Sequence, residues 1–477
     1  MTLVSHARVM GEKAERSSLF VETAITGIVL VASVVMAEYL FASYMALVAV
    51  IAFFVVLVLK RGEFFIKYFA FVFAIGANIL GCAIIETQEI SLPELDTFSA
   101  FAGSLPLLIL SRWVFAVVLL VCDYRWGKFV SPKEDPACAG VRRKGVTLAS
   151  QVILACAILL FLQVALKPSF LLGLNSFDYA RSYGVAGLWQ TVANVLSYVI
   201  VIPAMAIRQG DKKLGTAAVG VYVLYLLWTG NKFGNFLNVT CILLLVFYDR
   251  IVARGTQFLR KAAVLCLACI LALVGFSLVA FSFTSAKDPI DYLFSRTAQQ
   301  GQLWWKTYDW YGDSSHLEDL EYEWNALVER REGAINNVGQ RNGVYGVMYT
   351  TAPGNLIDEK LRSGSQYTEG GYAAALYYFG MAGPLVFSCI MGVIVSLLTN
   401  GLLCSIASDR LVVVAVCMRL LVISLTALSM FLFIGYFDEL SLLSYLFLFV
   451  SGLCCAGNRV YARARSAQLK AASNVNR

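Results

Sequence analysis

The chain predicts an all-α fold, a polytopic membrane helical bundle of about twelve transmembrane helices with one large helical extracytoplasmic loop. Hydrophobic residues make up 59% of the sequence and charged residues 14%, against about 25% charged in soluble domains. Apolar runs close to 20 residues recur from end to end, the length that crosses a hydrocarbon core of about 30 Å. The exception is residues 285–370, a largely polar stretch. It holds 13 acidic and eight basic residues, one of the two histidines, and Trp304, Trp305, Trp310 and Trp324.

In chain order, Arg8, Lys13 and Arg16 precede an apolar run at 18–37. That run is too long for a signal-peptide core and lacks a small-residue cleavage site, so it reads as an uncleaved first span. Further spans are expected at 40–59, 64–85, 101–122, 147–166, 186–207, 214–229, 233–248, 262–284, 371–399, 411–434 and 437–456. This divides the chain into 1–284 (nine spans), 285–370 (the extracytoplasmic loop domain) and 371–477 (three spans and a cytoplasmic tail).

Basic residues set the orientation. With the N-terminus inside, the cytoplasmic segments hold 24 Lys and Arg and the short outer loops hold three; the long loop is discounted by the rule. Both termini therefore face the cytoplasm and 285–370 faces out. The net charge of +7 follows from this bias and gives no argument for nucleic acid.

The loop reads as folded. Ser315 and Glu318 have capping-box spacing. Leu317, Leu320, Trp324 and Leu327 then recur at helical intervals until Gly333. An amphipathic helix of about four turns is expected there, on the membrane surface or capping the bundle.

Eleven of the twelve cysteines lie in or beside apolar runs and none lies in 285–370, so they read as small buried hydrophobes, Cys266 and Cys269 included. The sequence has no Walker A, HExxH or GxSxG motif and no Cys/His metal spacing. No metal or cofactor is expected, and ATP-driven transport and metalloprotease activity lose ground.

Outer cations are the first site candidates. Arg181 precedes the sixth span, and Lys232 opens the eighth beside Gly230 and Gly234. A glycine-flanked lysine at a helix N-terminus suits phosphate; snorkelling to the interface is the structural alternative. Arg296 and Arg341 lie among amides, hydroxyls and aromatics, a mixture that suits sugar rings and phosphate, with ion pairing to loop acids as the competing account. For a general base the candidates are Glu369, whose basicity partial burial would raise where the loop re-enters the membrane, and His316, which also suits a helix start. Arg112 and Arg419 are near mid-span and should face the interior with a carboxylate, an amide or a lipid phosphate.

Residues 170–400 resemble the Wzy-type oligosaccharide repeat-unit polymerases, which are related in architecture to O-antigen ligases. The resemblance rests on the single long outer loop, on Gly230-Asn231-Lys232 opening a span, and on Glu369-Gly370-Gly371-Tyr372 followed by Tyr378-Phe379-Gly380 and Gly383-Pro384. It implies a GT-C-like glycosyltransferase of the bacterial inner membrane. Such an enzyme moves a growing glycan from undecaprenyl pyrophosphate to a sugar hydroxyl of another lipid-linked repeat unit, without a metal. Its partners would be the undecaprenyl-pyrophosphate-linked oligosaccharide, membrane lipid and a chain-length regulator. Carried over, Arg181, Lys232, Arg296, Arg341 and Tyr372 would hold pyrophosphate or glycan, Glu369 would be the base, and His316 the second catalytic candidate. One departure is Lys232, where many relatives carry arginine, so bidentate phosphate binding is lost there.

Three other activities compete. An O-antigen ligase would give His316 more weight. A glycosyltransferase with a monosaccharide lipid donor wants an early outer acidic pair, weakly matched by Glu94 and Asp96. A lipid-linked oligosaccharide flippase or other transporter predicts charges scattered through many spans and no large outer domain.

Overall fold

Backbone amides and carbonyls crossing hydrocarbon must bond within their own segment, and the apolar runs accordingly form helices. The computed structural model describes residues 2–88, 90–126, 136–169, 171–172, 176–185, 187–230, 233–255, 275, 289–329, 338–362, 367 and 369–447. Residues 1–432 form one unit and 433–477 another.

The first half contains α1 (Thr2–Val35), α2 (Leu40–Lys60), α3 (Gly62–Lys67), α4 (Phe69–Thr87), α5 (Leu105–Trp126) and α6 (Pro136–Val164). A two-residue antiparallel hairpin, β1 (Ser91–Leu92) and β2 (Thr97–Phe98), joins α4 to α5. Next come α7 (Ser176–Tyr183), α8 (Leu188–Val199), α9 (Val201–Gln209), α10 (Lys212–Trp228), α11 (Phe233–Val246) and α12 (Tyr248–Ala253). The polar stretch supplies α13 (Pro289–Ala298), α14 (Gln302–Tyr311), a 3₁₀ turn (Leu317–Asp319), α15 (Leu320–Glu329), α16 (Val344–Thr351) and α17 (Gly354–Arg362). Last in the large unit are α18 (Gly371–Phe379), α19 (Gly383–Ala407) and α20 (Leu411–Met430).

The protein is an all-α, multi-pass membrane protein. Among the described residues seven helices are long and apolar enough to cross a membrane, or eight if α8 and α9, bent by 43°, form one span. Twelve were expected, and the shortfall has local causes. The expected spans at 214–229 and 233–248 are helices of only 17 and 14 residues. The expected span at 262–284, apart from residue 275, and residues 448–456 of the last expected span lie outside the described residues.

The expected span at 371–399 is two elements. Gly380, at φ 64°, breaks the helix after Phe379. A Cβ on Gly383 would lie 2.0 Å from the carbonyl oxygen of Ala375, and the hydroxyls of Tyr372 and Ser388 are 3.0 Å apart. Those residues would be about 24 Å apart in one continuous helix. α18 therefore runs back along α19 as a short re-entrant arm, and α19 alone makes the span. α19 packs parallel to α5, with Gly392 facing Val118, and turns Val386, Ile390 and Leu397 outward. Small residues at such contacts let helices approach closely.

The polar stretch packs onto α4 and onto the segment that leads into α5. Trp304 and Trp305 are buried, and their indole N–H groups donate to the carbonyls of Ser104 (3.1 Å) and Ala100 (2.8 Å) in the segment that leads into α5. α14, α16 and α18 pack on one another, with most of their side chains buried. The expected capping box does not form: the residue before the 3₁₀ turn is His316, and no side chain caps it. Along the expected apolar stripe Leu317 and Trp324 are exposed and Leu320 and Leu327 half-buried, while Ala326 of α15 is buried.

Candidate functional site

Two polar centres lie at the two ends of α18. At its N-terminal end, Arg112 of α5 is buried and donates from Nη2 to Oδ1 of Asn78 (2.7 Å) and to Oε2 of Glu369 (3.0 Å). Its Nε also reaches Asn78, and its guanidinium lies 3.7 Å from the Tyr372 ring centroid. Asn78 in turn donates to the carbonyl of Gln300 at 2.5 Å, tying the α13–α14 turn to α4. Burial raises the Glu369 carboxyl above the usual carboxylate range, and Arg112 opposes that rise. The expectation that Arg112 faces inward to a carboxylate or an amide is met by both at once.

All four residues of the Glu369–Tyr372 motif have a physical role in this packing. Glu369 has φ 59°, a conformation that L side chains rarely adopt. A Cβ on Gly370 would sit 2.4 Å from Val344, and one on Gly371 would sit 2.1 Å from the carbonyl of Leu428. Only glycine lets the chain thread between α14, α16 and α20 here. Tyr372 then lies under Arg112.

The second centre surrounds the C-terminal end of α18. A pocket of about 170 Å³ is lined by Asp319, Tyr322, Arg341, Gly346, Thr350 and Tyr377. Tyr377 donates its hydroxyl to Asp319. The His316 ring stacks on Tyr377 with centroids 4.6 Å apart and planes at 14°, and Tyr311 meets both edge-on at 5.2 Å. Arg341 lies over the Tyr349 ring at 4.3 Å, and Tyr349 is fixed by donating to Asp358 at 2.6 Å. The pocket thus joins a guanidinium, a carboxylate and aromatic faces. At well under the roughly 300–1,000 Å³ of drug-sized sites, it suits one sugar or phosphate group at a time. Beside it, Glu323 accepts from the Gly343 amide and from the Tyr378 hydroxyl (2.7 Å), and burial pushes its carboxyl up to about 7.

The expected site residues are dispersed. Glu369 and Tyr372 belong to the Arg112 centre, while Arg341 lines the pocket and His316 backs it through Tyr377. Arg296 is elsewhere, on α13, bonded to Gln299 at 2.9 Å and near Lys360. Lys360 pairs with Glu94, which also accepts from Gln302, so Glu94 is a structural clamp between the β1–β2 turn and the loop helices. The Arg181 side chain and Lys232 lie outside the described residues. Asp319, Glu323 and Tyr377 escaped the sequence reading. Their signal was an inward stripe of Asp319, Glu323 and Ala326 at helical spacing, hidden because acids on a helix usually face water.

Among the described residues no group of three His, Cys, Asp or Glu side chains is placed to hold a metal, and the seven cysteines whose side chains are described are free thiols.

Residues 337–450 match DUF6418, a family of unknown function. The match takes in Arg341, α16, the Glu369–Tyr372 motif and the α18–α19 hairpin. No curated protein and no solved structure matches the chain.

Proposed function

We propose that this protein is an oligosaccharide repeat-unit polymerase of the bacterial inner membrane, with residues 285–370 on the periplasmic side. It transfers a glycan from undecaprenyl pyrophosphate to a sugar hydroxyl of another lipid-linked repeat unit. The observation that carries this reading is the pocket in which Arg341 and Asp319 meet among Tyr322, Tyr377 and Thr350. Aromatic faces suit sugar rings, a guanidinium suits phosphate oxygens, and a carboxylate can accept the acceptor's proton.

In the transfer, the acceptor oxygen bonds to the anomeric carbon while the bond from that carbon to the pyrophosphate oxygen breaks. The bonding pair leaves with undecaprenyl pyrophosphate, and Arg341 offsets its growing charge. The hydroxyl proton passes to Asp319. This assignment moves the base away from Glu369, which is engaged by Arg112 about 12 Å along α18 from Tyr377. Arg296, on α13, is outside the six residues of the pocket, while a chain-length regulator would act from the outer face.

A lipid-linked oligosaccharide transporter is the second reading. It is favoured by charged pairs buried between helices, Lys67 with Asp123 and Arg112 with Glu369. Purified protein given lipid-linked repeat units decides between them. A ladder of regularly spaced glycans is expected from the polymerase. Intact repeat units moved across a vesicle membrane, with no ladder, would replace that reading with the transporter.

A further inference from the structure

We infer that Arg112 and Glu369 form a latch that seats the re-entrant helix α18, making both positioning residues for the pocket at the helix's far end. The activity arm of this inference rests on the polymerase reading; the structural arm does not.

Four observations converge. The first is burial: the side chains of Arg112 and Glu369 are 3% and 12% exposed, so neither charge is left to water. Removing one partner strands the other, which makes a buried pair an effective all-or-none contact. The second is reach. Arg112, on α5, joins two other pieces of chain: α4 through Asn78, and the segment entering α18 through both Glu369 and Tyr372. Its planar fork and flat face meet these demands together, which an ammonium cannot do.

The third is backbone shape. Glu369 adopts φ 59° between a non-helical segment and a helix start, a conformation that persists only where its surroundings hold it. Gly370 and Gly371 allow that close fit but supply no side-chain bond to keep it. The carboxylate bond to Arg112 is the side-chain contact that does.

The fourth is the connection to the pocket. α18 is nine residues long and buried over eight of them, so it moves as one rod. Tyr377 lies at its other end, where it donates to Asp319, stacks on His316, and accepts the His316 backbone N–H at 3.1 Å. A rod released at Glu369 loses register at Tyr377. The acceptor carboxylate and the aromatic wall then no longer face Arg341 correctly. Glu369 thus contributes to transfer through geometry, without touching the reacting atoms.

The test uses the full-length protein in detergent or nanodiscs and reads two things. Hydrogen exchange at the His316 amide reports whether the outer end of α18 is seated. Glu369→Ala and Arg112→Ala should speed that exchange by about tenfold or more. Glu369→Gln and Arg112→Lys, which keep an acceptor and a donor, should give smaller changes and guard against simple misfolding. Unchanged exchange in Glu369→Ala would overturn the latch.

The second reading is rescue. Glu369→Gln keeps a side-chain oxygen that accepts from Arg112 but cannot take up the acceptor's proton. It should therefore retain most of the glycan ladder that Glu369→Ala loses. Exchange close to wild type in Glu369→Gln with no ladder would return Glu369 to a proton-accepting role and end the positioning claim. Should the wild-type protein make no ladder at all, the polymerase reading fails, and the exchange measurement alone decides the latch.

Discussion

Gly81 of α4 and Gly301, in the turn between α13 and α14, meet backbone to backbone. A Cβ on Gly301 would lie 2.2 Å from the amide nitrogen of Cys82, and one on Gly81 would lie 2.4 Å from the carbonyl of Thr297. Both obstacles are main chain and cannot rotate away. Gly301→Ala should therefore lower stability by about 1–3 kcal/mol, the usual cost of overpacking, and weaken the Asn78 bond to Gln300. Thermal melting in detergent measures it, with Gly76→Ala, at a helical glycine of α4 with no atom near its Cβ position, as the control.

Arg341 and Asp319 should act differently in the pocket. Arg341→Ala should reduce the initial rate of glycan extension on the order of a hundredfold, by loss of a positioned charge at the leaving pyrophosphate. Arg341→Lys should restore only part, since an ammonium cannot grip phosphate bidentately. Asp319→Asn should slow extension without weakening binding of the lipid-linked substrate. Full activity in both Arg341→Ala and Asp319→Asn would remove the pocket from the mechanism.

Glu323 predicts a pH effect on stability. Its carboxyl is raised from 4.5 to about 7 in the folded protein. The native state therefore holds a proton that the unfolded chain has released between those values. Stability from this group is complete below about 4.5 and is lost as pH rises through about 7. The melting temperature should fall across that window. Glu323→Gln, which still accepts from the Gly343 amide and the Tyr378 hydroxyl, should flatten the dependence.

Lys67 and Asp123 form a second ion pair between helices, with side chains 4% and 9% exposed. Lys67 also donates to Asn400 at 2.7 Å. Lys67→Met alone leaves the carboxylate buried without its cation and should cost about 3–5 kcal/mol. The double change Lys67→Met with Asp123→Leu should recover most of that loss. Denaturation of the four proteins in one double-mutant cycle gives the coupling.

Part of the site was legible in the sequence. Arg112 stood out because a charge near mid-span needs a partner, and Glu369 stood out as a carboxylate where the loop re-enters the membrane. Their pairing was not legible, since they are 257 positions apart and nothing local to either names the other. His316 and Arg341 were each singled out alone, and Tyr377, which links His316 to the pocket, read as one more aromatic in an apolar run.

Hydropathy by itself determined that the chain is all-α and crosses the membrane many times, because each apolar run must satisfy its backbone internally whatever its neighbours do. The same local logic marked Arg112 as a residue requiring a partner. Only the tertiary structure decided that the polar stretch folds down into the bundle, and that residues 371–379 form a re-entrant arm rather than part of a span. Both depend on glycines approaching backbones far away in sequence and on one buried ion pair. Such contacts arise between segments, and no window of sequence contains both partners.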